Sequence, residues 1–191
     1  KFNEFILKWP SLNKLAQTSE PNILKFWSGL GYYSRARNLL KSAKIIKKNF
    51  KNNIPKTYDE LIQLPGIGDY TAKAILGIGF NQPVMPLDAN IERILVRLYA
   101  IDKPINKVKN KLKDLGKKFI SDKYSSNLIQ SFMDYGSEIC LPRNPKCNIC
   151  GINKFCQSYK KNLQQKIPFK QKKKSNKPIK NVMILGGSKI G

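Results

Sequence analysis

Four cysteines form the most concentrated chemical motif in the chain, and they are the only cysteines it contains. They fall within seventeen residues at the spacing C-x6-C-x2-C-x5-C, as Cys140, Cys147, Cys150 and Cys156. The chain has no histidine, and an all-sulfur ligand set selects a soft centre, chiefly an iron-sulfur cluster or zinc. Structural zinc sites usually use two short Cys pairs, whereas only one C-x2-C pair occurs here. The spacing favours a [4Fe-4S] cluster over zinc, and a disulfide pair is the remaining alternative.

A short glycine-containing turn is the second informative motif. It reads Leu64-Pro-Gly-Ile-Gly68 and lies between two helical patterns. Gly66 and Gly68 allow a hairpin too tight for side chains, and they leave N–H groups exposed where the next helix starts. Such donors suit a phosphate oxygen and hold DNA without reading its sequence. The pattern predicts a helix-hairpin-helix, with an ordinary helix-helix turn as the alternative.

A carboxylate stands about twenty residues further on, at Asp88 in Pro86-Leu-Asp-Ala-Asn90. It occupies the position of a helix N-cap, where the helix dipole and N–H groups favour the anion. An anion fixed beside a sugar can stabilise an oxocarbenium ion, as in glycosidic cleavage. Capping alone is the structural alternative, and the spacing does not separate the two.

Aromatic and basic residues alternate in a third segment, Gly29-Leu-Gly-Tyr-Tyr-Ser-Arg-Ala-Arg37. Tyrosines beside arginines can stack on bases and bind phosphates. Tyr32, Arg35 and Arg37 are therefore candidate DNA contacts, and a packed loop with one tyrosine in the core is the alternative.

Charge and composition limit the classes of function. The 191 residues carry 36 Lys and Arg against 12 Asp and Glu, a net charge of +24 that attracts polyanions such as nucleic acid. The positive charge is nearly all Lys, which an AT-rich genome also produces, so total charge alone does not establish DNA binding. No apolar run approaches the roughly 20 residues of a membrane span. No secretory leader opens the sequence, and we expect a cytoplasmic, nucleoid-associated bacterial protein.

Helical periodicity runs through almost the whole chain and predicts an all-α body. The last positions differ: a lysine-rich stretch reads as an exposed linker, and Asn181-Val-Met-Ile-Leu185 reads as a strand without a partner. Helices are predicted after Ser11, at Pro21, over 34–50, from a Thr57/Glu60 capping box, and over 70–80, 89–99, 107–121 and 125–140.

Taken together, the cysteine loop, the hairpin, Asp88 with Asn90 and G-L-G-Y-Y-S-R-A-R-N-L resemble the helix-hairpin-helix DNA glycosylases. Over about residues 2 to 160 the chain is most similar to the MutY-type A/G-specific adenine glycosylases. The resemblance implies a helical barrel lobe over 1–104 and a [4Fe-4S] lobe over 105–158. It also implies a basic linker over 159–180 and, over 181–191, the start of a truncated Nudix-like domain, so we interpret the chain as a fragment cut at both ends.

The resemblance also implies roles for individual residues. The expected reaction is release of adenine opposite 8-oxoguanine or guanine in duplex DNA by a monomer, with Asp88 stabilising the sugar cation and Asn90 orienting the catalytic groups. Tyr32 is expected to wedge into the base stack beside 8-oxoguanine, and the adenine opposite is expected to be flipped out. The cluster is expected to be structural, and phosphate contacts are expected from the hairpin and the cluster loop, at Leu64, Gly66, Ile67, Gly68, Arg143 and Lys146.

Tyr70 separates this family from the related endonuclease III, which resembles it but has a lysine there. A strand-cleaving lyase needs an amine to form a Schiff base, so Tyr70 predicts a monofunctional glycosylase. An endonuclease III-type pyrimidine glycosylase and lyase is the first alternative, because Lys73 lies one turn on.

The family's general acid, a glutamate, is expected upstream of Lys1, since neither Glu4 nor Glu20 matches its motif. The 191 residues themselves are therefore expected to bind DNA weakly and to release little adenine. A non-catalytic iron-sulfur DNA-binding module is the second alternative.

Overall fold

The computed structural model describes residues 1–169, and the regular secondary structure within this range is helical, without a strand. The predicted strand at 181–185 and the linker residues 170–180 lie outside the described part. None of the helices in 1–169 combines the length and apolarity that crossing a bilayer requires. The α-helices are α1 Phe2–Lys8, α2 Leu12–Gln17, α3 Glu20–Trp27, α4 Tyr33–Asn49, α5 Tyr58–Ile62, α6 Asp69–Ala74, α7 Ala89–Leu98, α8 Lys109–Lys117, α9 Ser125–Glu138 and α10 Gln157–Lys160.

Side-chain caps start several of these helices, as their sequences predict. Ser11 Oγ accepts the Lys14 N–H at 3.3 Å at the start of α2. Thr57 Oγ1 accepts the Glu60 N–H at 3.4 Å at the start of α5, and its hydroxyl also lies 2.6 Å from the Glu60 carboxylate. Each cap satisfies an N–H that has no partner within the helix.

Two predicted helices differ in length or type. The helix predicted over 70–80 is α6 followed by a wider π-helical turn, Ile75–Gly79. This turn brings Gly77 so close to Ile129 that an added Cβ would collide with the Ile129 side chain. The helix predicted over 107–121 is the shorter α8, because a 3-10 turn at Ile105–Lys107 precedes it and i,i+3 bonds replace the helical ladder after Gly116.

Buried apolar side chains form three clusters. The first joins α1 to α4 and includes Trp9, Leu15, Ile23 and Leu40. The second joins α4, α5 and α6 and includes Ile46, Leu61, Leu64 and Leu76. The third joins α7, α8 and α9 and includes Ile91, Leu95, Leu112, Ile129 and Ile167. α7 thus packs with the later helices, although the lobe boundary at residue 104, which stays a prediction, assigns it to the first lobe.

The first part of the predicted basic linker packs onto the third cluster. Ile167 is 1% exposed, and the Arg97 Nε–H donates to the Ile167 carbonyl at 2.8 Å. Lysine content alone predicts an exposed linker from residue 159, whereas the chain remains packed through Ile167 because its few apolar residues face the core.

Candidate functional site

The hairpin between α5 and α6 depends on the absence of a side chain at Gly66. Its φ of +80° belongs to the left-handed region, and a Cβ there would lie 2.8 Å from the Asn38 side chain of α4. The Ser42 hydroxyl donates to the Pro65 carbonyl at 3.0 Å and fixes the turn against α4. The hairpin is therefore held against one neighbouring helix at a distance that only glycine permits.

The two ends of the hairpin differ in exposure. Gly68 is the N-cap of α6, no side chain caps that helix end, and nothing lies within 4 Å of where its Cβ would be. The first N–H groups of α6 therefore have no side-chain acceptor. Ile67 is half-buried, and Leu64 is 3% exposed in the second core cluster. The side chain of Leu64 is thus unable to contact DNA, and only its backbone remains available for the predicted role.

Asp88 caps α7 as its position in the sequence predicts. Its Oδ1 accepts the Ile91 N–H at 2.7 Å, and the residue is half-buried. Burial, and after it the negative charge of Asp88, raise the pKa of Tyr70. The Tyr70 phenol therefore stays protonated at neutral pH.

Asn90 lies in the first turn of α7, where α7 meets α9. Its Oδ1 accepts a hydrogen bond from Arg93 Nη2 at 2.8 Å. A Cβ on Gly136 of α9 would lie 2.6 Å from the Asn90 Cβ. A glycine on α9 therefore leaves the space that Asn90 occupies.

Lys73, the alternative amine, is paired one turn away from Tyr70. Its Nζ lies 2.8 Å from Asp69 Oδ1, and the Tyr58 hydroxyl donates to the same carboxylate oxygen at 2.9 Å. The hydrogen bond from Lys73 is the main reason that the pKa of Asp69 is lowered. The ammonium of Lys73 is thus held by a carboxylate on its own helix.

The loop before α4 presents Tyr32 to solvent. Tyr32 has a left-handed backbone with φ +48° and is 77% exposed, while the Trp27 indole N–H donates to the Gly31 carbonyl at 3.0 Å. The Arg35 guanidinium lies 5.4 Å from the Tyr32 ring centroid. Arg37 is instead paired with Glu20 at 2.9 Å, so only one of the two predicted arginines lies beside the exposed ring.

The four cysteines line one cavity between α7, α9 and the segment 145–159. All four are free and half-buried, so no disulfide joins them. Burial, and then the negative charges of the other three cysteines, raise the pKa of Cys147. Within residues 1–169, no three ligating side chains stand close enough to hold one metal ion. Arg143 and Lys146 are exposed between Cys140 and Cys147, within the cysteine segment, residues 140–159.

Two buried arginines of α7, which the sequence interpretation left unassigned, anchor the cysteine segment. Arg93 is 6% exposed, and its Nε–H donates to the Cys140 carbonyl at 2.7 Å. Arg97 is 2% exposed and donates to the Leu141 carbonyl at 2.6 Å. Burial lowers the pKa of Arg93. A sequence signal was present: this chain uses Lys almost everywhere, and Arg at two positions four apart indicates a need for several donors in one plane.

Tyr135 of α9 is a second residue that sequence reasoning missed. Its hydroxyl lies 3.0 Å from the Cys150 sulfur. Burial, and after it this hydrogen bond, raise the pKa of Tyr135 to about 12. Tyr135 occupies a helical position with no motif around it, so only the fold shows that it reaches the cysteine cavity.

Comparison with known sequences identifies the family of this chain. Residues 1–118 match the HhH-GPD superfamily of base excision DNA repair proteins. The chain belongs to that superfamily. The matched residues include the hairpin of α5 and α6 and the capped α7 that follows it.

Named relatives and solved structures extend the match beyond residue 118. An adenine DNA glycosylase of Buchnera aphidicola subsp. Baizongia pistaciae is 45% identical over 90% of this chain and 49% of its own length. The human adenine DNA glycosylase is 32% identical over 87% of this chain and 31% of its own length. A thermostable thymine-DNA glycosylase is 26% identical and superposes with a TM-score of 0.76, covering 84% of this chain and 75% of that one. The chain thus spans half or less of the length of these two named relatives.

Proposed function

We propose that the protein is a monofunctional base-excision DNA glycosylase that hydrolyses the N-glycosidic bond of adenine paired with 8-oxoguanine or guanine. The observation that carries the proposal is the half-buried Asp88 carboxylate that caps α7, together with the Tyr70 phenol, which lies two residues after Gly68 and whose pKa is raised by burial and then by the charge of Asp88. A carboxylate and a neutral hydroxyl beside a phosphate-binding hairpin suit hydrolysis at a sugar. The relatives named adenine DNA glycosylase support adenine as the base.

Asp88 is proposed to stabilise the positive charge that develops on the sugar as adenine leaves. Its hydrogen bond from the Ile91 N–H fixes one carboxylate oxygen, and the start of α7 favours the anion. Asn90, held by Arg93, is proposed to orient the reacting groups. Adenine must be flipped out first, because the duplex sheathes its glycosidic bond.

The DNA contacts are proposed to come from three surfaces. The hairpin would hold a backbone phosphate at Gly66 and Gly68, where the N–H groups of α6 are open. Tyr32 would enter the base stack beside 8-oxoguanine, with Arg35 against its ring and with Arg37 joining after its pair with Glu20 opens. The exposed segment with Arg143 and Lys146 would bind phosphate. We propose that the protein acts as a monomer at the nucleoid in the bacterial cytoplasm.

The absence of lyase activity is part of the proposal. Tyr70 has no amine to attack the sugar, and the Lys73 ammonium is bound to Asp69 at 2.8 Å. Borohydride trapping of a covalent adduct with DNA at Lys73 would overturn the monofunctional assignment and favour the endonuclease III-type alternative.

A [4Fe-4S] cluster is proposed to bind Cys140, Cys147, Cys150 and Cys156. The residues fit this group, because four free sulfur donors line one cavity, and a cluster that takes one thiolate on each of its four irons does not need the sulfurs to converge on a single ion. When bound, the cluster supplies cross-links that order the segment with Arg143 and Lys146. About four irons and four sulfides per chain support the cluster, whereas one zinc per chain overturns it.

One assay separates the three functions. Duplexes with adenine opposite 8-oxoguanine, or with an oxidised pyrimidine, are incubated with the protein and analysed with and without alkali. The protein is tested as the 191-residue chain and with an N-terminal extension taken from the Buchnera relative. Breaks that need alkali and occur only at the adenine mispair support the proposal, and breaks without alkali support a lyase.

Asp88→Asn is the matched variant, because Asn also caps helices and the fold is retained. We expect adenine release to fall about 100-fold or more while the melting temperature stays close to that of the parent protein. DNA binding without release in every form of the protein would favour the non-catalytic module.

A further inference from the structure

Two side chains direct hydrogen atoms at sulfurs of the cysteine cavity. The Tyr135 hydroxyl of α9 lies 3.0 Å from the Cys150 sulfur. Arg97 Nη1 of α7 lies 3.4 Å from the Cys140 sulfur. A phenol and a guanidinium both donate, and a cysteine sulfur that ligates a metal is a thiolate that accepts. Two of the four candidate ligands therefore receive a donor from outside the cysteine segment.

The surroundings make the Tyr135 hydrogen bond matter more than it would in water. Apart from these donors, the cavity wall near α7 and α9 is largely apolar, with Ile94, Leu98, Ile139 and Ile152. A hydrogen bond in such an environment is electrostatically stronger than one exposed to solvent. Arg97 also bonds several carbonyls, so its removal would disturb the fold, whereas the hydroxyl of Tyr135 donates to the Cys150 sulfur and otherwise lies beside the backbone N–H groups of Gly151 and Ile152.

We propose that Tyr135 is a positioning residue that tunes the cysteine-bound cluster, because its hydroxyl donates to the Cys150 thiolate and raises the reduction potential of the cluster. The inference rests on the [4Fe-4S] cluster of the proposed function. A hydrogen bond withdraws electron density from the thiolate, and the reduced cluster, which carries one more negative charge, gains more from this than the oxidised one. The electron in the measured couple comes from an electrode.

The replacement Tyr135→Phe tests this directly, because it removes only the hydroxyl. The ring remains against Ile94, Leu98 and Phe132 in the apolar groove beside the cavity. Since the phenol is not a ligand in this arrangement, iron content and visible absorption should equal those of the unmodified protein. The midpoint potential, measured by voltammetry on the 191-residue protein, should move to more negative values.

Tyr159→Phe is the matched control. Tyr159 also lines the cysteine cavity, but its hydroxyl makes no hydrogen bond to a cysteine sulfur in the described part of the chain. The midpoint potential of the Tyr159→Phe variant should equal that of the unmodified protein. An equal shift in both variants would show that loss of any nearby phenol moves the potential, and would overturn the assignment to Tyr135.

A second substitution predicts the opposite sign. With 3-fluorotyrosine at position 135 the hydroxyl is more acidic and a stronger donor, so the potential should move to more positive values. This variant also decides the matter if Tyr135→Phe loses iron. If the protein binds iron and neither substitution changes the midpoint potential, the inference is overturned while the proposed cluster stands. If the protein binds only zinc, both the inference and the proposed cluster are overturned.

Discussion

The hairpin and the cysteine segment are both short pieces of irregular backbone, but different interactions hold them in place. The hairpin packs closely against α4, because Gly66 has no side chain to collide with Asn38. The cysteine segment is held from a distance, because Arg93 and Arg97 reach its carbonyls from positions more than forty residues earlier. The first arrangement can be inferred from a few neighbouring residues, and the second depends on the completed fold.

The two regions also differ in their charged groups. Asp69 beside the hairpin is a largely exposed carboxylate paired with Lys73, and its interaction is screened by water. Arg97 is almost fully buried and has no carboxylate partner in the described residues, so carbonyl groups replace its hydration. Equal chemical changes should therefore cost much more at the cysteine segment than at the hairpin.

Arg97→Met should have the largest effect on stability. The replacement removes the donors to the carbonyls of Leu141 and Ile167 and leaves them buried without partners. We expect the free energy of unfolding in urea to fall by at least about 3 kcal/mol, together with loss of bound iron. Arg143→Met is the control, because Arg143 is exposed, and it should change the unfolding free energy by less than about 0.5 kcal/mol. Equal losses would remove the distinction between buried and exposed arginines.

Gly66→Ala should be the most damaging single change in the hairpin. Alanine at φ +80° costs about 1–2 kcal/mol, and its Cβ would also meet Asn38 at 2.8 Å. A total loss of about 2 kcal/mol should appear in urea unfolding.

Gly68→Ala is the paired variant for the hairpin, because φ is −102° there and no atom lies near the new Cβ. Its unfolding free energy should fall by less than about 1 kcal/mol, the cost of a poorer N-cap. Affinity for duplex DNA should nevertheless fall if a phosphate approaches the start of α6. Unchanged affinity in a stable Gly68→Ala protein would remove Gly68 from the proposed DNA contacts.

Gly136→Ala tests whether close packing between α7 and α9, near the cysteine segment, also requires a glycine. The new Cβ would lie 2.6 Å from the Asn90 Cβ, so Asn90 must move and its bond to Arg93 weakens. We expect about 1–2 kcal/mol of lost stability. Single-turnover adenine release by the extended protein should fall at least about tenfold, since small displacements of catalytic groups have large effects. Gly79→Ala, with open space around its Cβ, should leave release unchanged.

Asp69→Asn should have the smallest effect, and the effect should depend on pH. The pKa of Asp69 is lowered in the folded protein, chiefly by Lys73, so the stabilisation exists above the usual pKa of 3.8 and is lost as pH falls below it. Because the Asp69 carboxylate is exposed and water screens its pair with the half-buried Lys73, the loss in Asp69→Asn at pH 7 should be about 0.2–1 kcal/mol. Urea midpoints of the variant and the unmodified protein should converge as the pH is lowered below 3.8, and a constant difference would contradict the ion pair as its cause.

Local chemistry explains what the sequence predicts well. Helix starts at Ser11, Thr57 and Asp88 are predictable because an N-cap bonds N–H groups two or three residues away. The all-helical class follows from periodicity in the same way. The π-helical turn Ile75–Gly79 was not predictable, because it depends on how closely Gly77 approaches Ile129, a residue on another helix.

The residues of the candidate site fall into the same two groups, those predictable from local sequence and those that depend on the completed fold. The cysteines, the hairpin glycines and Asp88 form recognisable patterns because their spacing is set within one segment. Arg93, Arg97 and Tyr135 form no such pattern, because what each contacts lies elsewhere in the chain. The burial of Leu64, which limits its predicted DNA contact to the backbone, likewise follows from packing with Leu61 and Leu76.

The bond from Arg97 to the Ile167 carbonyl sets the minimum length of the folding unit. A chain shortened to residue 158, where the iron-sulfur lobe was predicted to end, would lose this acceptor and uncover the core beneath Ile167. Domain boundaries drawn at the last cysteine would therefore produce an unstable product, even though all four candidate ligands would be retained. Shortened versions for biochemical work, and proteolytic fragments that survive digestion, should extend at least through Ile167.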